Sequence, residues 1–133
     1  MAEPTPDQTP YDLIGGREVV SSITEIFYDR MREAEPLLAD LHVCDPDGRV
    51  SRGARDRFEQ FFVEWLGGPK LYSPVHGHPR LRMRHARVPV GDDMIRAWLA
   101  CMMYALDRVK IEGEIRAFLD ARLTDLAHFM KNR

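Results

Sequence analysis

One short stretch of the chain, GHPRLRMRHARVPVG at residues 77–91, concentrates histidine and arginine. Its second histidine is His85, and the four arginines around it are Arg80, Arg82, Arg84 and Arg87. Neutral imidazole binds haem iron well, and guanidinium groups hold carboxylates through charge-assisted hydrogen bonds. A porphyrin needs an axial ligand at its iron and cations beside its propionates, so the stretch suits a haem site. The residues alone also suit a solvent-exposed basic loop, and both interpretations stay open on this ground.

Two other kinds of ligand fit these residues less well. His42 and Cys44 form one spaced pair and His76 and His78 another, but zinc sites usually bring tighter patterns such as paired Cys-x-x-Cys. The arginines make a local basic patch, yet the whole chain carries a net charge of −2. That balance gives no general attraction to nucleic acid or to an anionic membrane. We therefore expect no bare metal site, no nucleic-acid partner and no membrane partner.

Length and composition limit the architecture. The chain has 133 residues, of which 44% are apolar, and this suits one compact domain with one core. We predict a disordered tail at residues 1–9, which are polar and proline-rich, and a single domain at residues 10–131. The tail lacks the apolar segment of a secretory signal, and no apolar run reaches the roughly 18–20 residues that span a bilayer. Two cysteines make no disulfide framework, so the expected setting is the reducing cytoplasm.

Apolar periodicity predicts an all-α chain, with no alternation of the kind that strands show. Thr9 and Pro10 suit the N-cap and first turn of a short helix, which Gly15 and Gly16 end. Further helices are predicted at residues 17–32, 54–66, 79–86, 92–109 and 114–130, with one turn at PLLADL and an extended loop at 67–78.

The predicted helix at 54–66 has the strongest apolar face. Its apolar residues recur at helical spacing, at Phe58, Phe61, Phe62, Trp65 and Leu66. Such a face suits the wall of a haem slot opposite His85, and it suits ordinary core packing equally. On the helix at 114–130, the same reasoning predicts an inward face at Ile115, Phe118, Leu119, Arg122 and Leu126.

Three blocks of the sequence, in this order, resemble the truncated haemoglobins of group II. They are FY at 27–28, WLGGPKLYSPVHGHPRLRMRHARVPVG at 65–91 and RAWLACM at 96–102. The likeness covers about residues 10–130, and the tryptophan thirteen residues beyond His85 is typical of group II. The resemblance implies a truncated globin fold, a two-over-two helical sandwich around haem b.

The resemblance also implies roles for single residues. His85 matches the proximal histidine that binds the iron, and Arg84 matches the arginine that holds a propionate. Tyr28 and Trp98 match distal residues whose O–H and N–H point at the bound ligand. His42 matches a third distal position, after the short third helix, where the family carries tyrosine, phenylalanine or histidine.

Other positions of the implied pocket are less regular. Leu41 competes with His42 for the place that faces the distal pocket, because the loop after them is longer than usual. Ala54 stands where other globins have a distal histidine, and Phe58 replaces a common leucine, which alters the expected pocket shape. Lys70 and Tyr72 suit the haem edge or the solvent, and Met102 suits the core or a haem contact. The implied pocket also includes Phe61, Phe62, Leu81 and Val88.

The resemblance implies reversible binding of dioxygen, carbon monoxide or nitric oxide at a histidine-ligated iron. Hydrogen-bond donors near dioxygen stabilise its partial negative charge and slow its release. Two alternatives stay open: a redox enzyme on the same scaffold, either a peroxidase or a nitric oxide dioxygenase, and a helical binding module without haem. A reductase partner and a homodimer are both compatible with the resemblance.

Overall fold

The computed structural model describes residues 8–81, 85 and 88–133. Seven helices lie wholly within these ranges, and no strand does: α1 Pro10–Ile14, α2 Arg17–Ala34, α3 Pro36–Ala39, α4 Arg52–Trp65, α5 Ser73–His76, α6 Asp92–Arg108 and α7 Gly113–Phe129. The all-α prediction is thus confirmed. No helix among the described residues combines the length and apolar character that crossing a membrane requires. Residues 1–7 of the predicted tail, and half of the helix predicted at 79–86, lie outside the described residues.

Capping side chains and glycines set several helix ends. Thr9 is the N-cap of α1, as predicted, and the structure adds Asp12, whose side chain completes a capping box. Gly15 has a φ of 117°, in the left-handed region that glycine adopts most easily, and it ends α1 there. The predicted start of α4 at residue 54 is too late, because the Ser51 hydroxyl accepts the Ala54 N–H at 3.1 Å and begins the helix.

The long helices pack as two pairs, one over the other. α2 packs against α4, α6 packs against α7, and α2 crosses to α6. Fully buried side chains from all four helices form the core between the pairs, at Ile23, Phe27, Met31, Phe62, Met102, Leu106, Leu119 and Leu123. A cavity remains beside this core. Side chains of α2, α4 and α6 contribute to its lining.

Two details of the helices differ from the predictions. Residues 67–78 contain α5, where Glu64 Oε1 accepts the N–H of Tyr72 at 3.2 Å and of Ser73 at 2.9 Å. Ser73 followed by proline is a helix-start signal that could have revealed it. On α7 the buried stripe is Ile115, Leu119, Leu123 and Ala127. Phe118 is 42% exposed, and the Arg122 guanidinium covers its ring from outside at 5.7 Å, so neither faces inward.

A partly buried ion pair, in which the Glu25 side chain is 31% exposed, holds the start of α4 against α2. The Arg55 side chain is 4% exposed, and its Nη1 lies 2.5 Å from Glu25 Oε1. Arg52 Nη1 donates to the second carboxylate oxygen at 2.6 Å. These arginines lower the pKa of Glu25, first through the hydrogen bond from Arg52. Ala54, the neighbour of Arg55, lines the cavity, so the ion pair between Arg55 and Glu25 also positions part of the cavity wall.

The variant Glu25→Gln should lower the free energy of unfolding by about 2 kcal/mol, since it leaves the buried Arg55 charge without its partner. A carboxyl with a lowered folded pKa stabilises above its unfolded pKa, and that contribution is lost as pH falls through the folded pKa. The difference from wild type should therefore be largest near neutral pH and shrink in acid. Urea unfolding measures it, with Asp56→Asn, at the exposed ion pair with Arg52, as control. Equal losses in both variants would contradict this account.

Candidate functional site

A cavity of about 510 Å³ lies between the helix pairs, a size typical of ligand pockets. Eleven of the residues named from the sequence line it: Tyr28, Leu41, His42, Ala54, Phe58, Phe61, Tyr72, Leu81, His85, Val88 and Trp98. They come from α2, α4, α6, the segment after α3, Tyr72 just before α5 and the segment after α5, so residues far apart in the chain meet here. Leu41 and His42 both line the cavity, although only one of the two was expected to face the distal pocket.

His85 stands on one side of the cavity with its imidazole oriented by a backbone carbonyl. Its Nδ1 lies 2.8 Å from the Leu81 oxygen. Because a carbonyl only accepts, Nδ1 must carry the proton, and Nε2 keeps the free lone pair that a metal needs. The backbone N–H of His85 also donates to Leu81 O, at 3.1 Å. This arrangement suits an axial ligand with a fixed tautomer.

Tyr28 and Trp98 bring a hydroxyl and an indole N–H to the cavity. Both rings pack edge-on against Phe27, with centroids 4.9 Å and 5.3 Å from it. Burial raises the pKa of Tyr28, so its hydroxyl keeps the proton and remains a donor at neutral pH. Within the described part of the chain, neither donor has a hydrogen-bond acceptor, and both are therefore available to a ligand in the cavity.

His42 is half-buried, and its ring centroid lies 5.5 Å from that of Tyr28. Its Nδ1 donates to the Leu38 carbonyl at 3.0 Å, and burial lowers its pKa, so the ring is neutral at pH 7. The proton on Nδ1 is therefore already used, and Nε2 is an acceptor. A third distal N–H, as expected from the resemblance, is not available from this tautomer.

Three other described residues named from the sequence, Phe62, Met102 and Lys70, are not part of the cavity lining. Phe62 and Met102 are fully buried in the core. Phe62 is rotated away from the face that carries Ala54, Phe58 and Phe61, and it stacks on Phe58 and Trp65 instead. Met102 lies one helical turn beyond Trp98. Lys70 is exposed, and Arg84 lies outside the described residues.

Nine lining residues were not predicted. Eight of them supply mostly apolar surface: Leu38, Pro89, Val90, Met94, Ile95, Leu126, Ala127 and Met130. The ninth is Arg57, an exposed cation at the cavity wall. Helical spacing could have found it, because Arg57 follows Ala54 by three residues and precedes Phe61 by four. Its guanidinium is a suitable partner for a carboxylate at the rim of the cavity.

The paired histidine and cysteine side chains form hydrogen bonds elsewhere. Cys44 Sγ donates to the Ala39 and His42 carbonyls, each at 3.4 Å, and His76 Nε2 lies 3.2 Å from Gln60 Oε1. Among residues 8–81, 85 and 88–133, no group of three or more His, Cys, Asp or Glu side chains could hold a metal ion. Two imidazoles, those of His42 and His85, line the cavity with an unprotonated Nε2 each, and this part of the chain offers no larger set of ligands for a bare ion.

Comparison with known proteins agrees with this geometry. A family model described as "Bacterial-like globin" matches residues 9–132. A group 2 truncated haemoglobin of Bacillus subtilis is 42% identical over 124 residues, which cover 93% of this chain and 89% of that protein. The crystal structure of the group II truncated haemoglobin of Bacillus anthracis matches with a TM-score of 0.86 and 32% identity, covering 96% of this chain and 94% of that one.

A second solved structure is described as a truncated oxygen-avid haemoglobin from Bacillus subtilis. It matches with a TM-score of 0.83 and 40% identity, covering 94% of this chain and all of that one. The packing of the helix pairs, the cavity between them and the sequence similarity therefore all indicate the same family. The chain belongs to the bacterial-like globins, and within them to the group II truncated haemoglobins.

Proposed function

We propose that this protein binds haem b in the cavity and uses it to bind dioxygen reversibly. The observation that carries the proposal is His85, whose Nδ1–H is fixed by Leu81 while Nε2 stays free to bind iron. Covalent haem attachment needs a C-x-x-C-H motif, and neither Cys44 nor Cys101 precedes a histidine in that way. Non-covalent haem b is thus the form that this chain suits.

The chemistry of the cavity walls fits such a group. Phe58, Phe61 and Trp98 supply flat apolar surface, which favours burial of a porphyrin. Arg57 places a cation where a propionate would reach the solvent, and Arg84, outside the described residues, would be a second one. The two hydrogen-bond donors, Tyr28 and Trp98, have no partner among the described residues. An apolar slot with these polar groups matches haem better than a small polar metabolite.

When bound, the haem iron supplies the reversible binding of a diatomic ligand, and this chain determines how long that ligand stays. The Tyr28 hydroxyl and the Trp98 N–H would donate hydrogen bonds to dioxygen, which carries partial negative charge. Such bonds in a site shielded from water strengthen binding. The buried Phe27 ring contacts both donors edge-on and holds them in place.

The proposed setting is the reducing cytoplasm, with a reductase that keeps the iron ferrous. Both cysteines are free thiols, Cys101 buried and Cys44 half-buried, which suits that compartment. Dioxygen, carbon monoxide and nitric oxide are the ligands that such a site admits.

Dioxygen equilibrium and dissociation of the ferrous protein test the proposal. We expect a stable oxygenated spectrum that reverts to the deoxygenated one when dioxygen is removed. Turnover with peroxide and a reducing substrate serves as the comparison, at the same concentration of free haemin. Rapid oxidation without a reversible oxygenated form, together with turnover well above that of haemin, would overturn the proposal in favour of a redox enzyme.

A further inference from the structure

The C-terminal residues return to the segment that carries His85. Asn132 makes four hydrogen bonds there, through both ends of its side-chain amide and through its backbone. Its Nδ2 donates to the carbonyl of His85 at 3.2 Å and to that of Val88 at 2.9 Å. Its Oδ1 accepts the Val90 N–H at 2.8 Å, and its own backbone N–H donates to Val90 O at 2.9 Å.

These bonds pair backbone groups of an irregular segment, in which the His85 carbonyl also accepts the Val88 N–H at 2.9 Å. Val88, Pro89 and Val90 lie between His85 and α6 in irregular conformation, so their polar groups need partners from elsewhere. One primary amide supplies a donor for two carbonyls and an acceptor for one N–H. Asparagine and glutamine are the side chains that carry two N–H donors and an acceptor oxygen on one neutral group.

The contact joins residues that are 47 positions apart. It ties the end of α7 to the backbone of His85 itself, whose ring stands at the cavity wall. The adjacent ion pair between Lys131 Nζ and Asp92 Oδ1, at 2.9 Å, lies on exposed side chains. Solvent screens such a pair, and Asn132 is exposed as well, so the hold of Asn132 on the segment rests on its four hydrogen bonds and not on burial.

We infer that Asn132 is a positioning residue for the axial ligand. It holds the backbone of His85 and of residues 88–90, so that Nε2 stays aimed into the cavity, and it touches neither haem nor gas ligand. The inference rests on the proposed function. Hydrogen bonds that orient a metal ligand from outside commonly affect metal affinity by about 10–100-fold, so a measurable effect is expected.

The variants Asn132→Ala and Asn132→Asp test this in the haem-loaded full chain. Alanine removes the three side-chain bonds and keeps the backbone bond to Val90. Aspartate keeps the acceptor for Val90 N–H but sets a carboxylate against two carbonyl oxygens. Lys131→Ala, which removes only the exposed ion pair, is the matched control. The readouts are the iron–histidine stretching band of the ferrous protein and the rate of haem transfer to an apoglobin acceptor.

We expect about tenfold faster haem transfer in both Asn132 variants, a shifted or broadened iron–histidine band, and wild-type values for Lys131→Ala. Circular dichroism confirms that each variant is helical before it is compared. An unchanged iron–histidine band in both Asn132 variants would overturn the inference, even if thermal stability falls, because a purely structural bond lowers stability without altering the ligand. Absence of haem in wild type would instead overturn the proposed function.

Discussion

Replacing His85 with glycine is expected to abolish the histidine-type spectrum of the ferrous protein and of its carbon monoxide complex. His85 is the proposed iron ligand, and its Nε2 keeps a free lone pair because Nδ1–H is taken by Leu81 at 2.8 Å. Haem affinity should fall by more than the roughly 100-fold that loss of an outer partner of a metal ligand costs. Haem titration and absorption spectra measure both effects.

Added imidazole should restore the histidine-type spectrum of His85→Gly, because the missing ring leaves room for it beside the cavity. His78→Gly is the matched control, from the same segment but outside the cavity lining. It should keep wild-type haem affinity and spectra. A His85→Gly protein with an unchanged ferrous spectrum would show that another residue binds the iron.

The variant Trp98→Phe should release dioxygen about tenfold faster, because it removes one hydrogen bond of about 1–1.5 kcal/mol. Phenylalanine keeps an aromatic ring against Phe27, which the Trp98 ring meets at 5.3 Å, and loses only the indole N–H and some volume. Stopped-flow displacement of dioxygen measures the rate. Carbon monoxide, a weaker hydrogen-bond acceptor, should respond less.

Trp65→Phe serves as the control for this substitution. Trp65 stacks on Phe62 at 5.9 Å and does not belong to the cavity lining. Trp65→Phe makes the same chemical change at a position outside the cavity lining, and it leaves the distal donors Tyr28 and Trp98 in place. Equal dioxygen dissociation rates in Trp98→Phe and wild type would contradict the donor role of Trp98.

Local signals of the sequence were enough for α1, the four long helices and one side of the cavity, but α5 was missed. The Thr9 N-cap, the glycines after α1 and the aromatic face of α4 act over a few residues, so their outcome can be predicted. The two-over-two fold was implied by the resemblance and is confirmed by the packed pairs α2/α4 and α6/α7. On α7, Ile115 and Leu119 are buried as predicted and Leu126 lines the cavity, but Phe118 and Arg122 form an outer contact that periodicity does not distinguish from packing.

The details of the site depend on contacts between distant segments. The proton position on His42 follows from the Leu38 carbonyl, and that on His85 follows from Leu81, so neither could be derived from residue type. Asn132 meets His85 across 47 residues and lies in a polar tail without any motif. Phe62 was assigned to the pocket because the sequence does not show which of two neighbouring phenylalanines of α4 faces the cavity. Phe61 lines the cavity, whereas Phe62 is fully buried in the core.

Titration of the wild-type protein with haemin tests the central claim most directly. The absorbance of the Soret band, followed against added haemin, should break at one equivalent, and reduction under carbon monoxide should give a histidine-type spectrum. This result would establish that the cavity between the helix pairs holds one haem with an imidazole ligand. A titration without a break, or a carbon monoxide spectrum equal to that of free haem, would contradict the account.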